Sequence, residues 1–259
     1  VTSSTVLWIL NYLTDRSQHV RLNNVISGTV FTNTGTPQGT VLAPFLYSLY
    51  TADCRHLHQS CPLSKFADDS ALIGCLSNGN DLLYREGISA FVDWCDRSFL
   101  ELNVIKTKEL VIDFRKKKSV DVFESVVIKG EIVERVGSYR YLGVVLDEKL
   151  NWKENVSVVL KKAQPRMYFL RKLKSFYVAQ KLLNIFYSSA VMSVLTFAAV
   201  SWGGSISKQD EGKLEKLIKK AGGVIGCRQD SFSSIYHRRL TDKVADILSD
   251  ATHPLYREF

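Results

Sequence analysis

The sequence predicts an α/β domain over residues 1–150 followed by an all-helical domain over residues 151–259. Two observations predict this order. Up to about residue 150, short β-branched runs alternate with helical periodicity, and after Asn151 only helical periodicity remains. The third observation is charge. Residues 1–150 carry 16 Lys/Arg and 17 Asp/Glu, whereas residues 151–259 carry 18 and 9, so the whole excess lies in the helical part.

Residues 3–14 read as a helix with Ser3 or Ser4 as cap and Val6, Leu7, Ile9, Leu10 and Leu13 as apolar face. Residues 18–32 alternate like a hairpin turning at Asn23-Asn24. Gly35-Thr36-Pro37-Gln38-Gly39 breaks the chain and leads into an apolar run, 41–50, read as a buried helix. Residues 62–75 are two apolar stretches flanking Asp68-Asp69, a strand, tight turn and strand. Residues 80–100 form an amphipathic helix. Strands come next at Glu109–Phe114, Val126–Val133 (turning at Gly130) and Tyr139–Leu146. Helices are then expected over 153–173, 178–201, 208–221 and 240–250.

Composition sets bounds on function. Hydrophobic residues make 46% and charged residues 23%, enough apolar material for a core, which excludes a disordered chain. A net charge of +8 favours a polyanionic partner. Five cysteines without a Cys-x-x-Cys pair speak against a disulfide framework and for a reducing, intracellular compartment. The uncharged run 182–207 is long enough to span a bilayer, but its scattered Ser, Asn and Thr favour a core helix. No phosphate-cradling glycine loop or nucleophile elbow occurs.

Asp68-Asp69 is the first candidate for chemistry. Adjacent side chains on a straight strand point to opposite faces, so both carboxylates can serve one site only at a turn. Paired carboxylates suit a hard cation such as Mg²⁺, and an acidic hairpin turn is the competing reading. Cys54, His56, His58 and Cys61 are possible zinc ligands, but eight contiguous residues are a poor zinc spacing and a polar loop is the simpler account. Arg115-Lys116-Lys117-Lys118 is a short basic run of the kind read as a nuclear signal.

Four blocks occur in order: Gly35-Thr36-Pro37-Gln38-Gly39 with Val41-Leu42-Ala43-Pro44, then Phe66-Ala67-Asp68-Asp69, then Leu102-Asn103-Val104-Ile105-Lys106-Thr107, then Tyr141-Leu142-Gly143-Val144-Val145-Leu146-Asp147. Together they resemble the palm of a reverse transcriptase, and more narrowly the enzyme of a non-LTR (LINE-type) retrotransposon. Leu13–Val20, Trp202-Gly203-Gly204 and His253-Pro254-Leu255 also resemble that family, so the resemblance covers essentially the whole chain.

The resemblance implies a right-hand polymerase palm followed by a helical thumb, acting in two-metal nucleotidyl transfer to a primer 3′ end. It implies Asp68 and Asp69 as ligands of Mg²⁺ (or Mn²⁺) and Lys106 near the triphosphate. Pro37, Gln38, Gly39, Phe66 and Ala67 would contact template and incoming nucleotide. Tyr141, Leu142 and Gly143 would form the primer grip. Lys161, Lys162, Arg166, Arg171, Lys172 and Lys174 would follow a nucleic-acid backbone. The partners implied are an RNA template, a DNA primer and deoxynucleoside triphosphates, in the nucleus and/or cytoplasm. The family's upstream Asp box, its first palm strand and its fingers have no counterpart in this sequence. The expectation is therefore a fragment that is inactive alone. The alternative is a non-catalytic nucleic-acid-binding remnant using its basic C-terminal half.

Overall fold

The computed structural model describes residues 2–76, 79–115 and 124–258. Lys116, Lys117 and Lys118 of the basic run lie outside the described residues. The chain divides into two compact units, Val1–Asn103 with Asp121–Glu131, and Val104–Val120 with Ile132–Phe259. It mixes helix and strand, and the described strands pair only two by two.

In the first unit, α1 (Ser3–Leu13) starts at Thr2, whose hydroxyl accepts the Thr5 N–H. Strands β1 (Arg16–Gln18), β2 (Arg21–Leu22), β3 (Val25–Ile26) and β4 (Val30–Thr32) nest as antiparallel pairs, β1 with β4 and β2 with β3. The inner pair turns at Asn23, which takes φ +53°. Helix α2 (Leu42–Tyr50) comes after the Gly35–Gly39 breaker cluster. It was expected to be buried, but Leu46 is its only buried residue: Phe45, Leu49 and Tyr50 are exposed. Strands β5 (Leu63–Phe66) and β6 (Asp69–Leu72) form an antiparallel hairpin. Helix α3 (Leu82–Arg97) lies against it at Gly87, where an added Cβ would come within 3.4 Å of the Leu72 side chain.

The second unit opens with a short strand, β7 (Lys108–Glu109). The expected strand Glu109–Phe114 is reduced to this piece, because only Lys108 and Glu109 find a strand partner. β8 (Val127–Ile128) and the Lys129-Gly130 turn belong to the first unit, and β9 (Glu131–Ile132) carries the chain from it into the second. β10 (Glu134–Arg135) pairs in parallel with β7. The stretch read from its residues as one strand, Tyr139–Leu146, is instead a hairpin of β11 (Ser138–Tyr141) and β12 (Val144–Asp147). Its loop, Leu142-Gly143, has φ +46° and +89°, the two positive values of a type I′ turn.

The Asp147 carboxylate governs the passage from this hairpin into the helices. Its Oδ1 accepts the N–H groups of Lys149 (3.0 Å) and Asn151 (3.4 Å), and its Oδ2 accepts that of Trp152 (3.1 Å). These bonds fold the chain back into α4 (Lys153–Ser175), with Trp152 left-handed at φ +62° before it. Asn155 on α4 returns the tie by accepting the Val145 N–H at 3.1 Å. The hairpin is thus fastened to the helical core through two buried polar side chains, Asp147 and Asn155.

That core is built from α4, α5 (Gln180–Phe186), a π-helical turn (Tyr187–Met192), α6 (Ser193–Leu195), α7 (Ala199–Trp202), α8 (Lys208–Ile225) and α9 (Phe232–Ser249). The helix expected over 178–201 is therefore not one regular helix. Its buried residues Leu183, Tyr187, Val191, Leu195 and Ala199 recur every fourth position. An α-helix of 3.6 residues per turn would drift off that face, and the wider π turn resets it. Two arginines satisfy carbonyls left where the helix changes character: Arg166 donates to Ala190 O and Arg239 to Thr196 O. Gln180–Ser205 is long and apolar enough to cross a membrane. In the structure its buried face belongs to the same core as α4 and α8.

Helix α8 runs to Ile225, four residues beyond the expected end, and stops at Gly226 (φ +88°). Helix α9 starts well before the expected 240, because the Ser231 hydroxyl accepts the Ser234 N–H and caps it.

Replacing Asp147 by Ala strands buried N–H groups of the β12–α4 turn. Asp147→Ala is expected to cost about 2–3 kcal/mol, read as a lower urea midpoint at unchanged slope.

Candidate active site

The Asp68-Asp69 pair sits where a two-residue loop joins β5 to β6. Phe66 faces Asp69 across the ladder, so Ala67 and Asp68 form the loop. Ala67 takes φ +50°, the positive first loop angle that a tight hairpin favours. The sequence supplies Ala where Gly is the easier choice, so some backbone strain is held beside the carboxylates. Both Asp side chains are exposed, and no described residue makes a hydrogen bond or ion pair with either. Paired carboxylates without a protein cation suit a hard divalent cation, which takes one or two carboxylates and completes its shell with water and substrate phosphate. Among the described residues, no third His, Cys, Asp or Glu gathers with them.

The hairpin is seated on α2. Lys65, three residues before Asp68, donates its ammonium to Thr51 O at 2.5 Å and to Cys54 O at 2.8 Å, just past the C-terminal end of α2. Tyr47 on α2 lies in the field of Asp68. Burial and then the Asp68 charge push its phenol above the ordinary value, so it stays protonated beside the carboxylate. Below them, burial raises the thiols of Cys54 and Cys95, with Lys65 opposing the shift at Cys54. Tyr50 donates to Ser98 O and Trp94 to Asp53 at 3.3 Å, which fastens α2 and its following turn to α3.

The loop Pro37-Gln38-Gly39 lies at the other end of α2. Arg16 on β1 donates to the carbonyls of Thr34 (2.7 Å) and Gly35 (2.8 Å). Tyr12 on α1 donates to Thr40 at 2.9 Å, and Thr40 in turn donates to Pro37 O at 2.9 Å. Gly39 takes φ +79° with nothing near its absent Cβ, so the turn conformation is what requires glycine there. Phe66 and Ala67 are both exposed on the hairpin.

The remaining sequence-predicted residues belong to the second unit. Lys106 is exposed in the turn before β7. Tyr141, Leu142 and Gly143 form the β11–β12 turn, where an added Cβ on Gly143 would meet the Phe197 ring at 3.0 Å. On α4, Lys161, Lys162, Arg171, Lys172 and Lys174 are exposed. Arg166 is half-buried, with its guanidinium engaged on Ala190 O, so it is also a structural tie. Of the zinc candidates, Cys54 and Cys61 are buried and His58 pairs with Glu86 at 2.9 Å.

Four residues that hold the site were not read from the sequence: Tyr12, Arg16, Tyr47 and Lys65. The signal for Lys65 was its place in a strand whose neighbours are apolar or small. Nothing local marks the other three.

A family model described as reverse transcriptase (RNA-dependent DNA polymerase) matches residues 1–146. A model described as the N-terminal part of alkylated DNA repair protein alkB homolog 8 matches the short stretch 152–193. The probable RNA-directed DNA polymerase from transposon BS of Drosophila melanogaster is 28% identical over 222 residues, 82% of this chain and 24% of that protein. The RNA-directed DNA polymerase from mobile element jockey of Drosophila funebris is 27% identical over 159 residues, 58% of this chain and 17% of its own length. The probable RNA-directed DNA polymerase from transposon X-element of Drosophila melanogaster is 24% identical over 255 residues, 93% of this chain and 27% of that protein. The chain thus spans about a quarter or less of the relatives it matches. No solved structure matches the chain.

Two substitutions at the hairpin should act in opposite directions. Lys65→Met removes both ammonium bonds to the end of α2 and is expected to lower stability by about 1–2 kcal/mol, whereas Ala67→Gly relieves the positive φ and should raise it by up to ~1 kcal/mol. Denaturant midpoints of the two variants check both signs.

Proposed function

Because this chain belongs to the reverse transcriptase family, we propose that it is the palm and thumb portion of an RNA-directed DNA polymerase of a non-LTR (LINE-type) retrotransposon. Residues 1–150 would be the partial palm and 151–259 the basic thumb. The single observation that carries the reading is the exposed Asp68-Asp69 turn seated on the helix that comes after Pro37-Gln38-Gly39.

Asp68 and Asp69 would hold divalent cations, Mg²⁺ or Mn²⁺, and bound there these supply Lewis-acid activation of a primer 3′ hydroxyl and neutralise charge on the departing pyrophosphate. The 3′ oxygen would form its bond to the α-phosphorus as the bond from that phosphorus to the β-phosphate oxygen breaks, with pyrophosphate leaving and the hydroxyl proton passing to water. Tyr47 on α2, in the field of Asp68, is kept a neutral phenol by burial and that charge. Pro37, Gln38 and Gly39, with Phe66 and Ala67, would place the RNA template and the deoxynucleoside triphosphate. Lys106 would offset charge on the leaving group. Tyr141, Leu142 and Gly143 would hold the DNA primer end, and the cations of α4 its backbone.

The free cysteines fit the inside of a cell, nuclear or cytoplasmic. The core-facing side of Gln180–Ser205 favours a packed helix over a membrane span.

A second reading rests on the carboxylate count. Among the described residues no third ligand joins Asp68 and Asp69, which favours a chain that binds nucleic acid without extending a primer by itself. The two readings part in one experiment. Primer extension on an RNA template is measured for the 259-residue chain and for the polypeptide extended upstream along its source transcript. The extended protein should extend the primer in Mg²⁺ and stop in EDTA, and Asp68→Asn should reduce it by about 10²-fold or more. The 259-residue chain should bind but not extend. Extension that survives Asp68→Asn overturns the catalytic assignment.

A further inference from the structure

Helix α4 carries aromatic rings where a soluble helix carries polar side chains. Its buried side is Val156, Val159, Ala163, Met167 and Leu170. At about 100° per residue, Lys161, Lys162, Pro165, Tyr168, Phe169, Lys172 and Phe176 all project from the opposite side. Tyr168 is 54% exposed, Phe169 55% and Phe176 68%. Tyr177, just past the helix at φ +59°, is 95% exposed. Tyr168 and Phe169 hold each other edge to face at 5.6 Å between centroids. The Lys172 ammonium lies 5.7 Å from the Phe176 centroid, which orders that ring while most of it stays in solvent.

The surrounding charge has one sign. Between Glu154 and Asp210 the chain has no acidic residue and eight Lys/Arg. An aromatic face set in a field of one sign complements a polyanion that also offers flat apolar surfaces. A duplex hides its base faces, whereas an unpaired strand presents one with every phosphate. Between Lys161 and Phe176 the outward face has no Leu, Ile or Val, the residues an interfacial membrane helix would bury. The stripe runs about 22 Å along the helix, long enough for several nucleotides of one strand.

We infer that the outward face of α4 is a stacking platform for single-stranded nucleic acid, on which Tyr168, Phe169 and Phe176 take unpaired bases while Lys161 and Lys172 hold the phosphates between them. The inference deepens, and rests on, the nucleic-acid reading of α4 under the proposed function. It assigns base stacking to a helix for which only backbone contact was expected.

The test is equilibrium binding of the purified 259-residue chain to fluorescein-labelled oligo(dT), to a duplex of equal length and to phosphatidylserine vesicles. Tyr168→Ala/Phe169→Ala/Phe176→Ala should weaken oligo(dT) binding roughly tenfold or more and leave duplex binding and the salt slope unchanged. Tyr168→Trp/Phe169→Trp should keep the binding, which separates stacking from loss of fold. Lys161→Gln/Lys172→Gln should weaken both nucleic acids and reduce the oligo(dT) salt slope by about 0.7 per lysine. The inference is overturned if the alanine variant binds oligo(dT) like the parent. It is equally overturned if the rings matter only for vesicles, which would make the face a membrane surface. Ring-dependent oligo(dT) binding alongside failed primer extension by the longer protein would remove the polymerase reading alone.

Discussion

One ammonium group holds the candidate site together. Lys65 reaches back from β5 to the carbonyls of Thr51 and Cys54, so the turn bearing Asp68 and Asp69 is fixed to the end of α2. Without that tie, a two-strand hairpin of four residues a side would rest on its packing against α3 alone, since isolated pairs are marginal in water. The same helix carries Tyr47 in the field of Asp68 and begins three residues after Pro37-Gln38-Gly39, at Leu42. Two family boxes, some thirty residues apart in sequence, are thereby brought to one helix. Arg16 and Tyr12 complete the arrangement by holding the loop at its far end.

The second unit solves a similar problem with an anion. Asp147 gathers the backbone N–H groups of the turn into α4, and Asn155 fastens the β12 backbone in return. The β11–β12 turn is then presented on a rigid core. That core tolerates a π turn and a left-handed Ala198 because arginines from α4 and α9 occupy the freed carbonyls. Positive charge in this unit is thus divided between the core and the surface. Arg166 and Arg239 serve the fold, while the lysines of α4 stand exposed to solvent.

The sequence made the local elements legible where a local rule decides them. The hairpin around Asp68-Asp69, the turn at Asn23-Asn24 and the start of α4 come from turn chemistry and periodicity. The misses share a cause, which is non-local satisfaction. Glu109–Phe114 has strand composition, but only its first residue finds a strand partner. Tyr139–Leu146 reads as one strand because Leu142 gives no hint that it will take φ +46°. The apolar character of α2 predicted burial that the packing does not provide. Asp68, Asp69 and the Pro-Gln-Gly loop were legible as family boxes, whereas Lys65, Tyr47, Arg16 and Tyr12 act through space and carry no motif. The aromatic face of α4 was hidden for another reason: on a helical pattern, Tyr168, Phe169 and Phe176 count as core until the burial of the opposite side is known.

The central claim is that the Asp68-Asp69 turn, held on α2, is a divalent-cation site. Iron(II) can replace magnesium in such a site and, with peroxide and ascorbate, cuts the backbone wherever it is bound. Mapping the cleavage products of the 259-residue chain in the presence of a deoxynucleoside triphosphate tests the claim at residue level. The account predicts cuts at Ala67–Ser70 and weaker cuts around Tyr47, suppressed by excess Mg²⁺ and lost in Asp68→Asn/Asp69→Asn. Cleavage without preference for that hairpin, or cuts that persist in the double variant, would contradict it.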